Sequence, residues 1–170
     1  MTTESALPEE HHAWAVYLQA GEEARRRGER RTGTDDLLLA LLEDPSAEVL
    51  LGVSLEQARQ VLDALDHDAL GALGLGTDAD APPLPMRAVP KKPRLRDVAQ
   101  KDRIRMTPAA KKVLEATSKG KRRKLYVTAQ EVLAVILTLQ PPDPAAVLLG
   151  ALGVNTSEVR SRLDAVTPDH

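Results

Sequence analysis

The chain has 170 residues and a net formal charge of −2, a size that suits one compact domain or two small halves sharing a core. It contains no cysteine, which excludes disulfides, thiolate zinc sites and cysteine nucleophiles. Hydrophobic residues make up 42 % and aromatic residues only 2 %, so the core is built from Leu, Val, Ala and Ile, a mixture that favours helices over strands.

In chain order, residues 1–10 are polar and acidic, without the basic and apolar regions of a secretory signal. The first predicted helix covers residues 9–27, with Ala13, Val16, Tyr17, Ala20 and Ala24 on one face and Gly28 as its stop. Thr34 is the predicted N-cap of the second, with Asp35 and Asp36 in the first turn. Residues 37–42 are apolar on all sides, which predicts a central, buried helix. They are also the longest apolar run, far short of the roughly 20 residues that span a membrane. Asp44-Pro45 ends that helix and opens a short third one, which Gly52 closes. Ser54 and Gln57 form a capping box for a fourth, with Leu55, Ala58, Val61, Leu62 and Leu65 on its apolar side.

Periodicity fades from residue 66 to 105, where Gly71, Gly74, Gly76 and a series of prolines between 82 and 93 predict a linker. The same signals then return. Thr107-Pro108 is an N-cap with proline at the first helical position. Thr128 and Glu131 make a capping box ahead of apolar residues 132–137. Asp143-Pro144 matches Asp44-Pro45, and Gly153-Val154-Asn155 matches Gly52-Val53-Ser54, with Asn155 capping a last helix that carries Val159, Leu163 and Val166. Such landmarks recur at offsets of 95, 99 and 101 residues, which points to a duplication. The predicted fold is all-α: two pseudo-symmetric four-helix repeats, eight helices in one globule, with repeat 1 at 9–65, a linker at 66–105 and repeat 2 at 106–166.

Charge is unevenly spread. Residues 1–86 carry a balance of −11, residues 87–124 of +12 and residues 125–170 of −3. The basic block would attract polyanions such as nucleic acid, with Lys119, Lys121, Arg122, Arg123 and Lys124 as the contacts. No Trp or Phe interleaves them, so base stacking is not expected.

Catalytic signatures are missing. The adjacent His11 and His12 diverge on a helix and cannot share a metal, and Asp66-His67-Asp68 opens the predicted linker. The glycines of 71–76 follow no predicted strand. The paired acids Glu22-Glu23 and Asp35-Asp36 read as exposed helix starts. The expectation is a protein with no catalytic residues, no metal and no cofactor.

Residues 20–28, 33–42 and 51–53, together with residues 106–115, 126–133 and 145–154, resemble the repeat domain at the N-terminus of Clp unfoldases. The resemblance covers about 9–65 and 105–166, and it rests on order, spacing and duplication. It implies a domain that binds substrates, adaptors and cyclic-peptide ligands. In ClpC-type members an acidic residue in each repeat helps to hold phosphoarginine on marked proteins. The matching positions here are Asp35, beside Thr34, and Gln130, which lacks the charge; Met106-Thr107 matches the start of the second repeat. No phosphate-binding loop of an ATPase is present in the chain. The expectation is therefore a non-catalytic, cytoplasmic binding module. It would act as adaptor, competitor or decoy toward Clp unfoldase and protease subunits, their substrates or their adaptors, with polyanion binding as the alternative.

Overall fold

The structure is a computed structural model, and it describes residues 13–74, 105–118 and 128–166. Among these residues the protein is all-helical, with eight α-helices and no strand. They are α1 (Ala13–Arg26), α2 (Thr34–Leu41), α3 (Pro45–Leu51), α4 (Leu55–Ala72), α5 (Pro108–Ser118), α6 (Ala129–Ile136), α7 (Pro144–Ala151) and α8 (Thr156–Val166). No described helix is long and apolar enough to cross a membrane.

Every residue of α2 is buried, as its all-round apolar pattern requires. The helix is the hub of the molecule and packs on α1, α4, α5, α6 and α7. Leu37, Leu38, Leu39, Leu41 and Leu42 form one cluster with Val16, Tyr17 and Ala20 of α1, Val113 of α5, Ile136 of α6 and Leu148 of α7. On the far side α8 covers α3 and α6, using Val159 and Leu163.

Local rules set most of the helix ends. Ser54 and Gln57 bond reciprocally at the start of α4, and Thr128 and Glu131 do so at the start of α6. Asp44 and Asp143 cap α3 and α7, each followed by proline at the first position. Asn155 Oδ1 accepts the Glu158 N–H, 3.3 Å. Two boundaries differ from the sequence reading. Gly33, not Thr34, is the N-cap of α2, because the Asp36 carboxylate accepts the Gly33 N–H at 2.7 Å. Helix α4 runs on to Ala72, into the stretch read as linker. The glycines that end it come only at Gly71 and Gly74, so nothing interrupts the helix at Asp66.

Among the described residues, a parallel bridge pairs Thr32 with Met106. Thr32 N–H donates to Arg105 O at 2.7 Å, and Thr107 N–H donates to Thr32 O at 2.9 Å. These bonds pin the segment before α2 to the segment before α5.

The Tyr17 hydroxyl is fully buried and makes no hydrogen bond among the described residues. Burial pushes its pKa up to about 12, with the neighbouring Thr117 side chain working weakly the other way. Thr117 donates its proton to Val113 O and Leu114 O, so that proton is not free for the Tyr17 oxygen. Removing an unsatisfied buried hydroxyl recovers its desolvation cost. Tyr17→Phe is expected to raise stability by about 1 kcal/mol, read as a higher urea midpoint; a lower midpoint would mean that the hydroxyl has a partner.

Candidate functional site

A cleft of about 570 Å³ opens where α2 and α4 face α5 and α7. Its apolar walls are Leu62 and Leu65 of α4, Pro108 and Ala109 of α5, and Pro144 and Val147 of α7. Val147 is 38 % exposed, whereas Ala145, Ala146, Leu148 and Leu149 of α7 are buried. Thr34, Asp35 and Thr107 add polar groups, and Arg27, Glu29 and Asp66 form the charged rim.

The rim is built by the turn after α1. Gly28, at φ 75°, takes the left-handed conformation that ends a helix, and Glu29 N–H bonds back to Ala24 O at 2.8 Å. This aims Arg27 across the cleft mouth. One of its terminal nitrogens donates to Asp35 Oδ2 at 2.7 Å and to Asp36 Oδ1 at 3.3 Å. The other donates to Asp66 Oδ2 at 2.7 Å and lies 3.1 Å from Glu29 Oε1. Burial works against the charge on Arg27, but the bonds to Asp66 and Asp35 outweigh it and raise its pKa. A Cβ at Gly33 would meet Asp35 Oδ1, so any larger residue there would push that carboxylate out of its place against Arg27.

Thr34 closes the back of the cleft. Its hydroxyl donates to Asp143 Oδ1 at 2.7 Å, and the same oxygen accepts Ala145 N–H at 3.0 Å. One carboxylate thus caps α7 and holds the first residue of α2.

Asp36 is completely buried. Burial pushes its pKa up from an ordinary 3.8 to about 6, helped by the charge of Asp35 and opposed by the Gly33 N–H bond and Arg27. The folded protein therefore holds this proton more tightly than the unfolded chain does. The stability it contributes is fully present below about 3.8 and is lost as pH rises through about 6. Burial raises Glu29 and Glu43 in the same direction. Urea midpoints of wild type should therefore fall between pH 4 and pH 7 through these groups. Asp36→Asn, which keeps an acceptor for Gly33, should show a flatter profile; an unchanged slope would assign the dependence elsewhere.

The structure brings Thr34 and Asp35 to one cleft with Thr107, which lies far from them in sequence. Met106 is half-buried and packs against the core rather than lining the cleft. Gln130 is exposed in the first turn of α6, away from the cleft lining. Lys119, Lys121, Arg122, Arg123 and Lys124 lie outside the described residues. Two expectations are corrected. Asp35 and Asp36 are buried rather than exposed; Arg27 pairs with both, at 2.7 and 3.3 Å, and the Gly33 N–H bonds to Asp36, which offsets part of the cost of burying them. Glu23 is buried as well, paired with Arg59 and with Arg26. No group of acidic or histidine residues with metal-holding geometry exists among the described residues.

Sequence reasoning missed Arg27, Glu29, Asp66 and Val147. Gly28 was the available signal: a left-handed stop directly after Arg27 fixes where that side chain leaves the helix. No protein-family model matches the chain, and no curated protein matches it.

Proposed function

We propose that the chain is a non-catalytic protein- or peptide-binding module resembling the Clp unfoldase N-domain. It would act as adaptor, competitor or decoy in Clp-dependent proteolysis, in the cytoplasm. On this reading the molecule is a duplication of a four-helix unit, at 9–65 and 106–166, joined through 66–105. Matched details support the duplication. Asp44-Pro45 and Asp143-Pro144 start α3 and α7 in the same way. Gly52 and Gly153 share φ values of 69° and 70°. Val53 N–H bonds to Glu48 O, and Val154 N–H bonds to Leu149 O, five residues back in both cases.

The observation that carries the functional reading is the convergence of Thr34, Asp35 and Thr107 on one cleft with aliphatic walls. A concave, mostly apolar surface with a few aimed polar groups is what a bound peptide segment needs. Aliphatic side chains of the segment would lie on Leu65, Pro108 and Val147, and the rim would fix its register.

Immobilised protein should retain Clp subunits or their clients from a bacterial lysate. Val147→Asp, which places a charge on the apolar wall, should retain about tenfold less. Retention of neither class by the wild-type protein would overturn the reading.

A further inference from the structure

We propose that the segment seated in the cleft carries an unmodified basic side chain, arginine or lysine, read by Asp66 and Glu29 at the rim. The inference rests on the peptide-binding reading above and adds the chemistry of the ligand.

Charge decides it. Among the described residues, the cleft lining and the carboxylates bonded to it contain one guanidinium, Arg27, against Glu29, Asp35, Asp36, Asp66 and Asp143. Three helices, α2, α5 and α7, begin at the cleft, and each N-terminus adds about half a positive charge. That returns about one and a half charges, well short of the deficit, and the lining with its bonded carboxylates stays net negative even with Asp36 protonated. An anionic ligand meets this field unfavourably, whereas a cationic side chain is drawn in.

Position then selects which carboxylates do the reading. Asp35 is only 6 % exposed, and Arg27, tethered in the same chain, holds it at 2.7 Å. A ligand cation at Asp35 would have to displace that guanidinium. The Asp66 and Glu29 side chains are 55 % and 42 % exposed. Each is shown giving one oxygen to Arg27, and a carboxylate accepts several hydrogen bonds. They sit at the mouth, next to the aliphatic wall made by Leu65. An aliphatic residue beside the basic one would cover Leu65 and Val147 while the cation reaches the rim.

The test uses the full chain and four labelled ten-residue peptides, aliphatic-rich and identical except for a central arginine, lysine, citrulline or phosphoarginine, titrated by fluorescence anisotropy. Arginine and lysine peptides should bind, and the neutral citrulline peptide should bind about tenfold more weakly. The phosphoarginine peptide should also be weaker than arginine. The pair Asp66→Asn and Glu29→Gln alters exposed side chains, so the fold should persist by circular dichroism. It should weaken the arginine peptide about threefold or more and leave citrulline unchanged.

Phosphoarginine binding tighter than arginine, citrulline binding as well as arginine, or indifference to the rim variants would each overturn the inference. If all four peptides bind equally and Val147→Asp abolishes binding, the charge rule fails while the cleft reading stands. If no peptide binds, both fail. Two other occupants would also overturn it: a second copy, seen as self-association lost in Val147→Asp, or the chain's own basic stretch, seen as tighter peptide binding once Lys91, Lys92, Arg94 and Arg96 are neutralised.

Discussion

Replacing Arg27 by methionine should lower the unfolding free energy by about 3–5 kcal/mol at pH 7. Methionine keeps much of the apolar stem but removes the guanidinium that serves Asp35, Asp36, Asp66 and Glu29 at once. Asp66 and Glu29 can turn to water, but Asp36 is fully buried and cannot. The cost is therefore that of a buried carboxylate left without its cation, which is several times the worth of an exposed ion pair. Part of the loss should return as the pH is lowered and Asp36 takes a proton. Arg27→Lys should fall between the two, since one ammonium cannot span carboxylates that the two guanidinium nitrogens reach separately. Urea unfolding of the three proteins at pH 7 and pH 5 gives the comparison. A loss below about 1 kcal/mol for Arg27→Met would mean that the carboxylates re-solvate without cost.

Truncating Leu38 to alanine should cost a similar amount, about 3–5 kcal/mol. Leu38 has no exposed surface and belongs to the cluster that includes residues of α1, α5, α6 and α7. Because α2 serves helices on both sides of the molecule, the loss should not separate the two halves. Unfolding of the variant, followed by tryptophan fluorescence and by circular dichroism, should stay one coincident transition at a lower midpoint. Two transitions, with only one shifted, would show that the halves fold independently around separate cores.

How much of this was legible in the sequence depended on the range of the interactions. The caps of α3, α4, α6 and α7 each involve residues within a few positions, and their signals are short and stereochemical. The burial of α2 was legible for a different reason, since a helix apolar on every side has no face to give to water. Charged residues were misread wherever their partners lay further off. Asp35 and Asp36 look like ordinary exposed helix starts until Arg27 is placed eight and nine residues away. Asp66 looks like the start of a linker until the same guanidinium reaches it across 39 residues. Thr34 was expected to cap its own helix but gives its hydroxyl to Asp143, 109 residues on. Of the candidate residues, Thr34, Asp35 and Thr107 line the cleft, and Gln130, matched to Asp35 through the family resemblance, is not among the lining residues because a matched position in a repeat does not fix a shared place in space.

The bridge between Thr32 and Met106 has a kinetic consequence. Helical proteins usually fold fast because their contacts are local. Here the backbone bonds of Thr32 to Arg105 and Thr107 close a loop of about 70 residues, and the Thr34 to Asp143 bond closes a longer one. Helices such as α3 and α8 can form and dissolve many times before these distant ends meet. Folding is therefore expected to be slower than in a helical protein whose contacts are all local, although no β-sheet is present among the described residues.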